Sequence, residues 1–417
     1  MMRKIKNFEE LAVSDARRAA LEIAEAGFQA IDTDKILHEV VKLDGDLLSV
    51  KGEKFPLGNV SRIFVVGIGK CAMEAATALE DIFGERLYGG IVIDTEVRHS
   101  FKKIKAFQGT HPLPSDENIT AARAVVALLK DLKEDDLAVF AISGGGSTLL
   151  CLPEQGTCLE EAEVLNALIH AGATIQEINT VRKHLSLARG GYLAKYAYPA
   201  HVVSLIFSDV PGDNLEFVAS GPTVKDHTTV EEAEEILVKY DILKTCGIEK
   251  CGLVETPKED KYFERVKNIL TVSNTLALAA MEEKAKVLGF TTKICTTCLS
   301  GEARDVGLRF AKDLHKAPRK TVFLYGGETT VTIRGHGRGG RNLELALSAM
   351  REIKSGELIM TVASDGLDNG PFAGAICDTI TKKAIDDGDF DLEGALDENS
   401  EYPLFEEVGH YLMTGDT

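Results

Sequence analysis

Short apolar runs alternate with longer stretches of helical periodicity through most of this chain, and that alternation restricts the fold more than any other feature. The predicted strands are the apolar runs Ile63–Val66, Gly90–Ile93, Ala138–Ile142, Val202–Phe207, Leu270–Val272, Thr292–Ile294, Val322–Tyr325 and Ile359–Ala363. The predicted helices between them are Cys71–Phe83, Asp116–Asp131, Leu159–Ala171, Leu185–Tyr196, Val230–Leu243, Thr275–Leu288, Glu302–Leu314 and Leu343–Ile353. This alternation predicts an α/β fold with largely parallel sheets.

The first strand–helix junction carries a glycine turn, V-V-G-I-G-K-C-A, over residues 65–72. It fits the dinucleotide fingerprint G-x-G-x-x-A of a Rossmann domain, and Asp94 ends the following strand where such folds hold a ribose. Lys70 lies at the start of a helix, where the dipole disfavours positive charge, so we expect Gly69 and Lys70 to face an anion. A solvated lysine on a first turn is the simpler alternative.

The chain is too long for one domain, because 417 residues exceed the usual domain size of roughly 150 residues. The polar segment Cys246–Asp260 shows little periodicity and is the best candidate boundary. We therefore predict two α/β domains. Residues 1–250 form an N-terminal Rossmann-like domain with a mostly parallel sheet and helices on both faces, and residues 251–417 form a smaller C-terminal domain. Ligands of such sheets bind beyond the carboxyl ends of the strands, so the active site is expected in the cleft between the domains.

Charge and composition exclude several classes of partner. The net charge of −18 argues against nucleic-acid binding and against attraction to an anionic membrane. The N-terminus resembles no secretion signal and no apolar run is long enough to span a bilayer, so a cytoplasmic location is expected. The eight cysteines are expected to be free thiols. The pair Cys295 and Cys298 has no second ligand pair, so no zinc site is expected there.

The densest glycine and arginine cluster reads Y-G-G-E-T-T-V-T-I-R-G-H-G-R-G-G-R-N over residues 325–342. Glycines let backbone amides approach a ligand, and the helix that follows has a positive amino end. We therefore expect a phosphate or carboxylate to bind at this helix start. A glycine-rich hairpin with solvated arginines is the alternative interpretation.

Two further segments of the N-terminal half suit anion binding. The turn Ser143–Thr148 follows an apolar strand and offers successive amides and hydroxyls, although it could be a structural turn. The segment Asn179–His184 is expected to open a helix with Asn179 as its cap. Arg182 and Lys183 would then face an anion near a helix start, or form an exposed basic turn.

A loop after the fourth apolar run carries two carboxylates, Asp209 and Asp213, followed by the Ser220-Gly221 turn. Paired carboxylates at a strand end suit Mg²⁺, and one of them could instead deprotonate a hydroxyl. Aspartates also favour turns without any further role. Asp365, in S-D-G-L-D-N-G of the second domain, carries the same ambiguity.

Long motifs in this order closely resemble the glycerate 2-kinases of the MOFRL family: N-T-V-R-K-H-L-S-L-A-R-G-G, S-D-V-P-G-D, S-G-P-T-V and G-G-E-T-T-V-T-I-R-G-H-G-R-G-G-R-N-L-E-L-A. The resemblance extends from about Arg17 to the C-terminus. It implies a two-domain enzyme that phosphorylates the 2-hydroxyl of D-glycerate with ATP and Mg²⁺, giving 2-phosphoglycerate and ADP. It also implies central roles for Lys70 and Arg341. The family pattern usually continues T-G-x-T-x-T-N-V, whereas this sequence reads L-M-T-G-D-T at residues 412–417.

The predicted catalytic residues are Lys70, Arg341 and Asp209, with Asp209 and Asp213 as candidate magnesium ligands. The predicted substrate- and nucleotide-binding residues are Gly69, Ser143, Gly144, Gly145, Gly146, Ser147, Asn179, Arg182, Lys183, Ser220, Gly221, Asn274, Gly326, Gly327, Glu328, Thr329, Gly340, Asn342 and Asp365. An NAD(P)-dependent hydroxypyruvate reductase and a non-catalytic sensor of a small anionic metabolite remain alternatives. The sequence leaves the oligomeric state open, a homodimer included.

Overall fold

A computed structural model describes residues 3–210, 212–248 and 252–415 of the chain. Packing divides the chain into two compact units: Thr33–Ser273, and Met1–Asp32 together with Asn274–Thr417. The change of unit at Ser273 lies beyond the predicted boundary at residue 250, because a strand of the large sheet extends to Val272. Below, the first is called the sheet unit and the second the terminal unit.

The strands are β1 (Val41–Asp44), β2 (Leu47–Val50), β3 (Glu53–Pro56), β4 (Arg62–Ile68), β5 (Leu87–Asp94), β6 (Ile104–Gln108), β7 (Asp136–Ile142), β8 (His201–Phe207), β9 (Val266–Val272), β10 (Thr291–Leu299), β11 (Thr321–Gly327), β12 (Leu358–Met360), β13 (Gly374–Asp378) and β14 (Tyr411–Leu412).

The α-helices are α1 (Phe8–Leu11), α2 (Asp15–Ala30), α3 (Thr33–Val40), α4 (Ala72–Phe83), α5 (Asp116–Lys130), α6 (Gly146–Leu149), α7 (Cys158–His170), α8 (Ile175–His184), α9 (Tyr192–Ala197), α10 (Val230–Lys239), α11 (Ile242–Thr245), α12 (Asn274–Val287), α13 (Ala303–Leu314), α14 (Arg341–Ala349), α15 (Thr379–Asp387), α16 (Leu392–Asp397) and α17 (Glu401–Val408). Single 3₁₀ turns occur at Gly84–Arg86, Val218–Ser220 and Asp260–Tyr262. None of the helices in the described ranges is long and apolar enough to cross a membrane.

The sheet unit is built on a six-stranded parallel sheet with the strand order β6-β5-β4-β7-β8-β9. Strand β7 is buried along its whole length, as expected for a central strand covered on both faces. Side chains such as Val66, Phe140 and Val125 of α5 share one apolar core. The predictions of an α/β fold and of a mostly parallel sheet are confirmed.

The register of this sheet determines where the candidate site lies. Ile68 of β4 pairs with Ile142 of β7, and Ile142 pairs with Ile206 of β8. The three strands therefore end at the same edge, side by side. As a result, the turns after β4, β7 and β8 are neighbours, although they are far apart in sequence.

The sequence did not predict the antiparallel meander β1-β2-β3, which precedes the large sheet. Its three strands are each only four residues long. Gly45 and Gly52 have positive φ angles and make the two tight turns. Strands this short give too little alternation for a periodicity argument.

The terminal unit contains a parallel pair, β10-β11, and an antiparallel sheet, β12-β13-β14. Helix α2 belongs to this unit because it packs against α12, where Gly27 leaves room for the Met281 side chain. Arg17 of α2 is fully buried and makes a bidentate ion pair with Asp378, at 2.7 and 2.8 Å. The amino-terminal helices are thereby fixed to the last third of the chain.

Candidate active site

The glycine turn after β4 and the glycine turn after β7 are joined by hydrogen bonds. The Lys70 N–H donates to the Gly144 carbonyl (3.0 Å), and the Cys71 N–H donates to the Ser143 hydroxyl (3.3 Å). Gly69 has φ +121°, and a Cβ there would overlap Ser143, so this junction requires glycine. The Ser143 side chain is buried and serves this junction.

Asp209 and Lys70 lie beside the glycines of the second turn. A Cβ on Gly144 would overlap the Asp209 carboxylate, and a Cβ on Gly145 would lie 3.1 Å from Lys70 Cγ. The same Cβ on Gly145 would lie 3.5 Å from Cδ2 of His111. An exposed carboxylate, an ammonium group and an imidazole thus surround two adjacent glycines. Among the predicted site residues, the structure brings together Gly69, Lys70, Ser143, Gly144, Gly145 and Asp209.

His111 is a site residue that the sequence analysis missed. Burial and the charges of Lys70 and Arg182 lower its pKa, so the imidazole is held in its neutral form. The same effect shows that Arg182 and Lys70 are close enough to act on one imidazole. His111 follows β6, a strand that was not predicted. Recognising β6 as a further parallel strand would have placed His111 just beyond its carboxyl end, where ligands bind.

The prediction that Asn179 opens a helix is wrong. Helix α8 begins earlier, at a capping box in which Thr174 and Glu177 satisfy each other's amides, and Asn179, Arg182 and Lys183 lie further along it. The two cations are in the last turn, where the helix dipole favours them. The T-x-x-E pattern was the signal that should have placed this start.

Lys183 and Asn179 are held by partners within the chain. Lys183 is buried, makes an ion pair with Asp226, and lies 3.6 Å from Glu216. The Asn179 side chain donates to the Glu216 carbonyl at 3.3 Å. Of the predicted basic pair, Arg182 is therefore the residue placed near Lys70 and His111.

A backbone segment with unusual dihedral angles lies beside the second glycine turn. Ala219, Ser220 and Gly221 have φ angles of 50°, 58° and 57°. A Cβ on Gly146 would overlap Ala219, and the Ser147 and Ser220 hydroxyls share a hydrogen bond of 2.9 Å. Non-glycine residues in this region cost about 1–3 kcal/mol each, and such strain is concentrated at functional sites.

The Asp94 carboxylate is hydrogen-bonded within the chain in an arrangement that does not fit a bound dinucleotide. It is fully buried, and burial raises its pKa to about 6. Its carboxylate accepts hydrogen bonds from the Met73 amide in the first turn of α4 (3.0 Å) and from the Thr95 amide (2.6 Å). In a Rossmann site this carboxylate would bind a ribose and the helix start a pyrophosphate. Here the Asp94 carboxylate and the start of α4 are hydrogen-bonded to each other instead.

In the terminal unit, Arg341 makes an ion pair with Glu328. Glu328 follows β11, which ends at Gly327, where a Cβ would overlap the backbone of Leu299. Gly326 lies against Asn274, whose amide donates to the Thr297 carbonyl (2.8 Å). Asn274 therefore fixes β10, while Glu328 and Arg341 face solvent. Thr329 is buried next to Glu328.

The glycines between Glu328 and Arg341 are required for packing within the chain. A Cβ on Gly335, Gly337 or Gly339 would overlap the segment Glu398–Glu401. The Gly337 amide donates to the Glu398 carbonyl at 2.7 Å. Arg338 lies over the Tyr402 ring, 4.1 Å from its centroid. Close approach explains these glycines, and the approaching group belongs to this chain.

The start of α14, where an external anion was expected, carries the carboxylate of Asp368. Its oxygens accept from the Asn342 amide (3.2 Å), the Leu343 amide (2.9 Å) and the Asn342 side chain (3.3 Å). A Cβ on Gly340 would overlap the same carboxylate. The positive end of α14 is therefore occupied by an anion, which is a buried aspartate of this chain.

Carboxylates that could hold a divalent cation are present but dispersed. Among residues 3–210, 212–248 and 252–415 no group of three or more His, Cys, Asp or Glu side chains could hold a metal ion. Asp209 is exposed beside Gly144, and Asp213 has a φ of 53°. Asp365 accepts from the Leu367 amide at 3.3 Å. Pro211, between Asp209 and Asp213, lies outside the described residues.

The expectation that every cysteine is a free thiol is wrong, because Cys151 and Cys158 form a disulfide. Cys158 begins α7, and the seven-residue separation brings it back to Cys151 after α6. Cys71, Cys246, Cys295, Cys298 and Cys377 are free.

Exposed cations and glycine turns at the carboxyl edge of a parallel sheet are typical of α/β proteins that act on anionic ligands. Two family models match the chain. A domain of unknown function (DUF4147) covers residues 19–249, and the MOFRL family covers residues 321–417.

Several relatives are named as glycerate kinases, and two are provisionally named as hydroxypyruvate reductases. A glycerate 2-kinase of Pyrococcus horikoshii is 40% identical over 97% of this chain and 95% of its own length. The crystal structure of a glycerate kinase from Thermotoga maritima matches with a TM-score of 0.81, at 33% identity over 96% of this chain and 95% of that one. A protein of Agrobacterium vitis with a provisional hydroxypyruvate reductase name is 35% identical over 86% of this chain and 97% of its own length. The chain belongs to the MOFRL family of glycerate 2-kinases.

Proposed function

We propose that this protein transfers the γ-phosphoryl group of ATP to the 2-hydroxyl of D-glycerate, giving 2-phosphoglycerate and ADP. The observation that carries the proposal is the arrangement of Lys70, Asp209 and His111 around Gly144 and Gly145. It supplies positive charge, a carboxylate and a neutral imidazole beside a turn that lets substrates approach the backbone. Family membership directs the choice of glycerate as the acceptor.

Phosphoryl transfer needs positioned positive charge more than covalent chemistry, because charge spreads over the phosphoryl oxygens in the transition state. Lys70 is proposed to supply a point charge to the transferring group, with Arg182 nearby. Arg341 is proposed to bind a carboxylate or phosphate oxygen pair through its guanidinium, which suits bidentate contact. On ligand binding, Arg341 would then release Glu328 and pair with the anionic group of the substrate instead.

Asp209 has two proposed roles that the chemistry allows. As a base, it would accept the proton of the attacking 2-hydroxyl, and its exposure beside Lys70 keeps it reachable. As a ligand, it would hold Mg²⁺ together with Asp213, since Mg²⁺ usually takes one or two protein carboxylates and completes its shell with phosphate oxygens and water. When bound, Mg²⁺ would neutralise phosphate charge.

The remaining predicted residues are proposed to shape the pocket. Ser147, Ser220 and Gly221 would set the shape of the loop beside the substrate, and the strained backbone at Ser220 supports this assignment. Asp365 and Asn342 are proposed to act near Arg341. Gly146, Gly326, Gly327 and Gly340 would be needed for close packing, and Asn274, Asn179 and Lys183 for holding segments together.

The reductase alternative rests on the G-x-G-x-x-A motif and on the provisional names of two relatives. Asp94 weighs against it, because this carboxylate is buried on the Met73 amide. One assay separates the alternatives. The purified chain receives ATP, Mg²⁺ and D-glycerate, and ADP is measured directly by chromatography. A parallel reaction receives hydroxypyruvate with NADH or NADPH.

We expect glycerate-dependent ADP release and no oxidation of reduced nicotinamide. Lys70→Ala should slow the release by about 10²–10³-fold, while Lys54→Ala, at an exposed lysine of β3, should leave it unchanged. Nicotinamide oxidation without ADP release would overturn the proposal in favour of the reductase. Glycerate binding with neither reaction would favour the sensor.

A further inference from the structure

Arg189 is a fully buried arginine to which the proposed function gives no role. It lies between α8 and α9, and its guanidinium contacts three segments at once. Nε donates to the Ser147 carbonyl (2.7 Å) and Nη1 donates to the Arg182 carbonyl (3.0 Å). Nη2 lies 2.7 Å from Oε1 of Glu161, which is also buried. One side chain therefore ties the second glycine turn to the residue that brings positive charge toward Lys70.

The backbone after Arg189 extends the same connection to a third segment. The Gly190 amide donates to the Ser220 carbonyl (2.9 Å), and the Gly191 amide donates to the Gly221 carbonyl (2.8 Å). Both glycines have positive φ, which allows this close pairing. Because the Ser220 hydroxyl also bonds to the Ser147 hydroxyl, the three segments form a closed network.

The charge arrangement is costly if its only purpose is stability. Burial and the Arg189 charge lower the pKa of Arg182 to about 10, so the partly buried Arg182 guanidinium lies close to the fully buried one of Arg189. A single buried carboxylate, Glu161, compensates them, and burial raises its pKa. Replacing a buried ion pair with apolar side chains is often neutral or stabilising, so stability explains such a cluster poorly. Precise placement of its neighbours explains it better.

We propose that Arg189 is a positioning residue for phosphoryl transfer, holding the Ser143–Ser147 turn, Arg182 and the Ser220–Gly221 turn in register without touching substrate. This inference rests on the proposed kinase function. A displacement of about 1 Å in a reacting group can cost about 10²-fold in rate. Loss of Arg189 should therefore lower kcat by about 10²-fold, with a smaller change in the KM values, because transition-state contacts are the most sensitive to placement.

The test compares four variants of the full chain by kcat, by KM for ATP and D-glycerate, and by thermal midpoint. Arg189→Met removes the guanidinium group and its hydrogen bonds. The double variant Arg189→Met/Glu161→Gln removes both buried charges so that folding is preserved. Arg189→Lys keeps a charge for Glu161 but cannot bond to both carbonyls, so it should recover part of the rate. Arg62→Met is the matched control: it removes an ion pair with Asp136 at the amino ends of β4 and β7, the opposite edge of the same sheet.

The expected result is a loss of kcat in each Arg189 variant that exceeds any loss in Arg62→Met at equal thermal midpoint, with Arg189→Lys between wild type and Arg189→Met. If Arg189→Met and the double variant do not fold, Arg189→Lys alone decides, by a fall of kcat of at least tenfold. Variants of Arg189 that keep kcat within threefold of an active wild type would overturn this inference alone. A wild type without glycerate-dependent ADP release would instead overturn the proposed function.

Discussion

Asp368 gives the sharpest prediction about the arginine-bearing helix. The substitution Asp368→Ala removes the acceptor of the Asn342 and Leu343 amides at the start of α14. Loss of a cap costs about 1 kcal/mol, and an unsatisfied buried amide costs about 1–3 kcal/mol more. Because Asp368 and Leu343 are both buried, water cannot replace the carboxylate without reorganisation. We expect a local destabilisation of about 2–4 kcal/mol on these grounds.

Hydrogen exchange measured by mass spectrometry on the segment 341–349 reports this local free energy. Since about 1.4 kcal/mol corresponds to a factor of ten, protection should fall by about 30- to 1000-fold. The matched control is Asp391→Ala, which removes an exposed cap whose carboxylate accepts from the Gly394 amide at 3.0 Å. It should change protection of α16 by about tenfold or less, as caps in water do. Protection of 341–349 within twofold of wild type in Asp368→Ala would refute the reasoning.

Three further predictions concern charge and covalent structure. Lys70→Ala or Arg341→Ala should lower kcat by about 10²–10³-fold, as removal of one transition-state donor does; near-normal steady-state rates would contradict the assignment. Burial raises the pKa of Glu401 from 4.5 to about 8, so the folded protein holds that proton more tightly than the unfolded chain. The free energy of unfolding should therefore fall as the pH rises from about 4.5 to about 8. The fall should be weaker in Glu401→Gln. Urea titrations at several pH values measure the free energy of unfolding, and an equal pH dependence in the two proteins would exclude this role of Glu401. Reduction of the Cys151–Cys158 disulfide should cost about 2–3 kcal/mol, from the entropy of closing so short a loop, and alkylation that labels both cysteines in the native protein without reductant would show that the bond is absent.

Much of the sheet could be predicted from the sequence, because the central strands are buried on both faces and read as apolar runs. Strands β4, β7 and β8 were recognised in this way, and with them the edge that carries Lys70 and Ser143. Strands β6 and β14 were not, because they lie at sheet edges, where apolar runs are weaker. Strand β13 is central and buried, and was missed because its five residues begin with glycine and end with aspartate.

In the candidate site, too, features that follow from local sequence were predicted and features that depend on distant contacts were missed. Gly69 and Gly144 were predicted because each lies in a glycine-rich turn directly after an apolar strand, which is a local pattern in the sequence. His111, Asp368 and Glu401 were missed because their roles depend on contacts with residues distant in sequence. Helix α8 was placed too late because the Thr174 cap was overlooked, which turned a favourable C-terminal pair of cations into an apparent anion site.

The glycine-rich segment 335–340 shows how a correct physical argument can identify the wrong partner. Glycines do permit close approach, and the structure has such an approach at Gly339 and Gly340. The approaching groups are Glu401 and Asp368, which belong to the chain. Arg341, at the first position of α14, is the cation of this segment that the proposed function uses.

The position of the transferred phosphoryl group tests the central claim most directly. The protein is incubated with ATP, Mg²⁺ and D-glycerate, and the products are identified by ³¹P NMR with proton coupling. A phosphate ester at C2 couples to one carbinol proton, whereas an ester at C3 couples to two. The account predicts ADP and the C2 ester in equal amounts. A C3 ester, or no phosphorylated glycerate beside oxidation of reduced nicotinamide by hydroxypyruvate, would contradict it.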